Sequence, residues 1–235
     1  MTRPLKFGLL TLACAMLVSC GDADSAATRA AEDAQIQALL DDPKPEATRP
    51  REPALISASL ERVRREGDQL NLAIAGREPV RFTSNLWCPE MDLTEDNCVE
   101  YIFVADLQSH NAYVVEQTFY DSNDFVVVNT RSGEQTRVAT PPQFSPDGER
   151  FIVVGFVLAD GADPYALEIW RHEEGSAVSE WRLEHGDAAL GRVASAKVVR
   201  WDGDRIAMEF DPGDGAAKWR GVLKKSGDSW QPVKD

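Results

Sequence analysis

The sequence is short of nearly everything that would mark a conventional enzyme or a chain that spans a membrane. Its 235 residues include three histidines and four cysteines. None of the histidines falls in an HExxH pair or in a Cys/His spacing of the kind that holds zinc. There is no Gly-x-Ser-x-Gly elbow for a serine hydrolase, no Walker A loop and no GxGxxG opening a helix. Positive charge is scarce: 25 Lys and Arg stand against 39 Asp and Glu, a formal net charge of -14. Such a surface repels a phosphate backbone, which argues against nucleic acid as a partner. It also argues against broad adhesion to anionic lipid headgroups. The only long apolar run, Phe7 to Ser19, is shorter than the roughly 20 residues a helix needs to cross a bilayer.

That run is informative in another way. Arg3 and Lys6 precede it, and small or polar residues follow it, which is the pattern of a secretory signal peptide over residues 1–19. Its exit, Leu17-Val18-Ser19-Cys20-Gly21, resembles the lipobox of bacterial lipoproteins. The resemblance implies cleavage before Cys20, a diacylglycerol on its thiol and a further acyl chain, such as palmitate, on its new amino group. Several chains together hold far better than one. In the enteric sorting pattern an aspartate directly after the cysteine retains the protein at the inner membrane. Here Gly21 takes that place and Asp22 follows, so the expected address is the outer membrane, facing the periplasm.

Cysteine usage agrees with export. Cys14 leaves with the leader and Cys20 carries lipid. Cys88 and Cys98 remain, an even pair in an oxidising compartment. A bridge between them would add roughly 3 kcal/mol on the chain-entropy account.

Residues 20–54 read as a flexible, lipid-anchored tether. Ser25 to Asp41 is Ala-rich, with Ile36, Leu39 and Leu40 on one face, and suits either a short helix or disorder. Pro43, Pro45, Pro50 and Pro53 favour an extended spacer. From Leu55 to the end, at 235, strand-length apolar runs alternate with Gly, Asn, Asp and Pro turns. A strand, a glycine turn and a second strand recur around Gly76, Gly133, Gly175 and Gly227. A preceding hairpin recurs at 142–154 and 198–210, and more weakly at 103–115.

One of these hairpins carries a resemblance. Phe144-Ser145-Pro146-Asp147-Gly148, followed by Glu149-Arg150-Phe151, resembles the "SPDG" turn of β-propeller blades of the TolB and WD types. The resemblance implies an aromatic packed between neighbouring sheets and a Pro-Asp-Gly turn between two strands. The expected fold is therefore all-β: a propeller-like array of about four antiparallel meander blades. A closed ring, an open run of blades and a β-sandwich are the alternatives.

The candidate chemistry is sparse. His110, His172 and His185 read as exposed turn residues. Asp160, Asp163, Asp202, Asp204, Asp211 and Asp214 sit in glycine-containing loops whose oxygens suit calcium, without an EF-hand spacing. No other cofactor is indicated. Trp170, Trp181, Trp201 and Trp230 fall at strand positions, where packing between sheets is their natural role. Trp87 differs. It heads the Cys88–Cys98 loop with Glu90, Asp92, Glu95 and Asp96, a preorganised acidic element suited to a basic envelope protein. The reading is a non-enzymatic binding or scaffolding module of the cell envelope. An envelope hydrolase using loop carboxylates and an inhibitor-type lipoprotein are the alternatives.

Overall fold

The computed structural model describes residues 21–41, 48–86, 98–120, 122–155, 165–173, 175–186, 190–191, 193–213 and 215–234. Cys20, Cys88, Trp87, Glu90, Asp92, Glu95, Asp96, Asp160, Asp163 and Asp214 lie outside them.

The chain is mostly β, in four antiparallel sheets, each a meander of consecutive strands. Sheet 1 has three strands: β1 (Val63–Glu66), β2 (Gln69–Leu72) and β3 (Val80–Thr83). Sheet 2 has four: β4 (Glu100–Leu107), β5 (Ala112–Thr118), β6 (Asn123–Asn129) and β7 (Gln135–Val138). Sheet 3 comprises β8 (Gln143–Phe144), β9 (Arg150–Val154), β10 (Tyr165–His172) and β11 (Ala177–Glu184). Sheet 4 comprises β12 (Ser195–Asp202), β13 (Arg205–Asp211), β14 (Trp219–Ser226) and β15 (Ser229–Lys234).

The sequence repeats map onto these sheets. Gly76, Gly133, Gly175 and Gly227 each lie between the last two strands of one sheet. The earlier hairpin at 103–115, 142–154 and 198–210 supplies the first two strands of sheets 2, 3 and 4. Among the described residues sheet 1 lacks the counterpart of that first strand.

The sheets pack in series. One buried cluster joins sheet 1 (Leu70, Leu72, Phe82) to one face of sheet 2 (Phe103, Tyr113, Val115). A second joins the other face of sheet 2 (Ile102, Val114, Val127) to Phe151 and Val153 of sheet 3. A third joins Ile152, Leu167 and Ile169 of sheet 3 to Met208, Phe210 and Leu223 of sheet 4. Four layers in series are not a two-sheet sandwich. Among the described residues no buried cluster joins sheet 1 to sheet 4.

The N-terminal segment corrects the expected tether. Gly21–Asp41 is a helix, α1. Its Ala, Glu and Gln content favours that state, and Pro43 follows its end. Ile36 and Leu39 are buried in the cluster on sheet 2, and buried Glu32 accepts hydrogen bonds from the backbone N–H and the hydroxyl of Ser109. A second helix, α2 (Glu52–Ala58), carries Pro53 in its first turn, where a missing N–H costs nothing. α2 and sheet 1 together satisfy the open edge of β4. Glu52 accepts from the Phe103 N–H at 2.7 Å, Ser84 accepts from the Tyr101 N–H at 3.0 Å, and Arg65 donates to the Tyr101 carbonyl at 2.6 Å. Thr48 donates to the buried Glu116 of β5. The folded body thus includes much of what composition assigned to a spacer.

Candidate functional site

The Pro-Asp-Gly turn joins β8 to β9. The Ser145 hydroxyl donates to Asp147 at 2.6 Å and accepts from the Arg150 N–H at 3.0 Å. Asp147 also accepts from the Glu149 N–H at 3.0 Å. Burial alone would raise the Asp147 carboxyl. These hydrogen bonds overcome that, and its pKa lies below the ordinary value. Gly148 closes the turn at φ +72°.

The turn of sheet 3 rests on the turn of sheet 2, and this overturns the reading of two histidines. His110 ends a short 3-10 turn, Gln108–His110, between β4 and β5. It is buried, not exposed, because its ring stacks on Phe144 with centroids 4.9 Å apart and planes 4° apart. A Cβ placed on Gly148 would lie 2.8 Å from His110 Nδ1, so the approach needs glycine. His172, at the end of β10, meets Phe144 edge-on at 6.0 Å. Its ring donates to the Gly148 carbonyl, and the Asn129 amide lies 3.1 Å from its Nε2. In the tautomer that carries its proton on the other ring nitrogen, Nε2 accepts from that amide. Burial lowers the pKa of both histidines.

Beside this contact is a cavity of about 230 Å³. Its walls come from α1 (Glu32, Asp33), from His110 of sheet 2, from Phe144 of sheet 3 and from Arg200 and Trp201 of sheet 4. Three sheets and the helix thus meet at one small polar space, where the first strand or first turn of each sheet contributes. Glu32 is committed to Ser109, whereas Asp33 is exposed. The Trp201 indole donates to the Gly203 carbonyl at 2.9 Å, which fixes the ring against the space. The volume is below the usual range for a drug-sized ligand, so it suits a single side chain or a small polar molecule. The sequence held no sign of this site, because its residues come from four separate segments.

Two other hollows are less suited. A larger one, about 700 Å³, is an open trough on the outer face of sheet 1. Its arginines are already answered: Arg64 by Glu61 at 3.1 Å, Arg81 by Glu78 at 3.9 Å and Arg62 by Asp106 at 3.1 Å. The other lies between α1 and α2 and is lined mainly by alanines and leucines.

The carboxylates most displaced upward are structural. Burial raises Asp106 to about 6 against the pull of Arg62. Burial likewise raises Glu116, which holds Thr48 and Asn123. Neither lines the three hollows. Among the described residues no group of three or more His, Cys, Asp or Glu is placed to hold a metal ion. Of the aspartates singled out for calcium, Asp211 accepts from the Gly213 N–H and pairs with Lys218, and Asp202 faces Arg200. Trp230 is fully buried, and Trp170, Trp181 and Trp201 are partly buried against the clusters. Where the described chain resumes after Trp87 and its acids, Asn85 pairs with Val99 in an isolated bridge. No described helix is long and apolar enough to cross a membrane. No family model, no curated protein and no solved structure matches the chain.

Proposed function

We propose that this protein is a lipid-anchored, non-enzymatic binding module of the bacterial cell envelope. On this reading Cys20 carries the lipid, Cys88 and Cys98 form a disulfide, and the domain faces the periplasm from the outer membrane. Its four meanders are blades of an open, propeller-like array. Serial packing of the sheets and the match between sequence repeats and sheets support that architecture. The partner is an envelope protein that presents a basic side chain.

The cavity between α1 and sheets 2, 3 and 4 carries the functional reading. It offers the carboxylate of Asp33 and the indole of Trp201, and both favour a cation. Arg200, next to Trp201 on β12, also lines the space and disfavours a second positive charge there. The acidic segment of Trp87, Glu90, Asp92, Glu95 and Asp96 supplies longer-range attraction for the same partner.

The test is photo-crosslinking in cells from a reactive residue placed at Gln37, on the cavity wall. The expected result is a small set of crosslinked envelope proteins whose yield falls at least about tenfold in Asp33→Lys and in Trp201→Ala. The same set at the same yield from all three chains overturns the cavity as the recognition site. Mass analysis of the N-terminal peptide from the membrane fraction reads the state of Cys20 separately.

A further inference from the structure

Among the described residues sheet 4 ends the stack, and one of its faces has no neighbouring sheet. Strand register gives the residues on that face. Lys197, Glu209 and Arg220 form one row across the strands. Arg200, Ala207, Val222 and Val233 form the next. Asp202, Arg205, Lys224 and Gln231 form the third. The bulge in β12 falls between Val198 and Arg200 and leaves Val199 exposed.

This face reverses the sign of the protein. It has five cations (Lys197, Arg200, Arg205, Arg220 and Lys224) against three carboxylates (Asp202, Glu209 and Asp211, which shares the end row with Ser195), in a chain whose formal charge is -14. Arg220 reaches Glu209 and Arg200 reaches Asp202, each at 3.8 Å. Lys197, Arg205 and Lys224 are the surplus. Between the cations, Val199 and Val233 are 54% and 48% exposed.

The position of the face relative to the chain start supplies the second observation. α1 begins at Gly21, the residue that follows the cysteine of the lipobox in sequence. Glu32 and Asp33 of that helix share the cavity wall with Val199 and Arg200 of β12. From Gly21 to Glu32 is about 17 Å at a helical rise of 1.5 Å per residue. An anchor at Cys20 therefore holds the edge of this face within about three helix turns of the headgroup region.

We propose that the outer face of sheet 4 docks on an anionic lipid surface, with the five cations at the headgroups and Val199 and Val233 at the contact. This rests on the lipoprotein reading for the position of the anchor. The face is a local patch of positive charge on an acidic chain. Headgroup attraction fades within a Debye length, about 8 Å at physiological salt, so only the face turned toward the membrane benefits.

The test uses the full mature lipoprotein in vesicles of phosphatidylcholine, with or without phosphatidylglycerol at about one lipid in three. A water-soluble acylating reagent reads Lys197 and Lys224 by mass spectrometry. Acylation of both should be at least about fivefold slower on the anionic vesicles, and the difference should vanish at about 0.5 M salt. Arg220→Glu with Arg205→Glu should abolish protection of Lys197, whereas Arg220→Lys should retain it. Equal rates on the two kinds of vesicle overturn the proposal. Protection that appears only with an envelope extract, on neutral vesicles, also overturns it in favour of a protein occupant. If Cys20 proves unmodified, the lipoprotein reading fails by itself. The face is then tested by sedimentation of the chain with anionic vesicles, and absence of salt-sensitive binding there removes it too.

Discussion

Sheets 2 and 4 are both four-stranded meanders grown from the same repeat, yet they read differently as sequence. In sheet 2, β4, β5 and β6 are buried almost throughout, and Val126, Val127 and Val128 run on without a polar break. In sheet 4, β13 alternates buried Ile206, Met208 and Phe210 with Ala207 and Glu209. A sheet covered on both sides needs apolar residues at every position, whereas a terminal sheet needs them at every second one. The hydrophobic period therefore reports where a unit sits in the stack. The cost of an interior position is also visible: sheet 2 holds buried charged groups that must be matched (Asp106, Glu116), whereas sheet 4 exposes its charges.

The largest break in this comparison should come from truncating each sheet at its most characteristic residue. Phe103→Ala removes a fully buried ring from sheet 2 and should cost about 3–5 kcal/mol in urea unfolding. Val233→Ala, on the outer face of sheet 4, should stay within about 0.5 kcal/mol. Equal losses would mean that the outer face of sheet 4 is covered.

Proton linkage should separate the two regions by sign. Burial, opposed by Arg62, lifts Asp106 of sheet 2 to about 6. Its contribution is complete below the ordinary carboxylate value and disappears as pH rises through about 6, a change on the order of 2–3 kcal/mol. Asp106→Asn should flatten that fall in a series of unfolding midpoints from pH 4 to 7. Glu180 of sheet 3 behaves oppositely. Burial pulls its carboxyl upward, but Lys225 of sheet 4 and Arg150 donate to it and hold it below the ordinary value. Its stabilisation is present above that value and is lost as pH falls through the lower one. Glu180→Gln should therefore reduce the loss of stability in acid. A slope near pH 5 unchanged by Asp106→Asn would contradict the first assignment, and a slope below pH 4.5 unchanged by Glu180→Gln the second.

The smallest effect concerns two equivalent hairpins. Gly148 and Gly203 both have positive φ in the first turn of their sheets. Only Gly148 has a neighbour, His110, where a Cβ would go. Gly203→Ala should cost about 1 kcal/mol from the backbone alone. Gly148→Ala should cost about 1 kcal/mol more, and the excess should vanish in the background of His110→Ala.

Much of this architecture was legible. Glycines at Gly76, Gly133 and Gly227 mark turns because the chain there needs a left-handed conformation that other residues adopt at a cost. The strand runs stood out through their β-branched residues. Legibility failed where the deciding partner is distant in sequence. An Ala-rich segment with three apolar residues carries no mark of docking, since its burial depends on the far face of sheet 2. His110 looked exposed because a turn is normally at the surface, and only the next repeat, arriving with Phe144, covers it. The cavity was hidden for the same reason. The role of the Trp87 loop turns on residues beyond those described.

The bonds that hold the N-terminal segment to sheet 2 bear on how the chain matures. Glu52 and Phe103 are 51 residues apart, Thr48 and Glu116 are 68 apart, and Glu32 and Ser109 are 77 apart. Contacts with such separation close late, because the loop between them must be ordered first. Until they close, the strand at the start of sheet 2 offers bare backbone donors and acceptors to any other extended chain. A copy still folding is thus most open to aggregation during that interval, and any partner that covers this edge early would shield it during its slowest step.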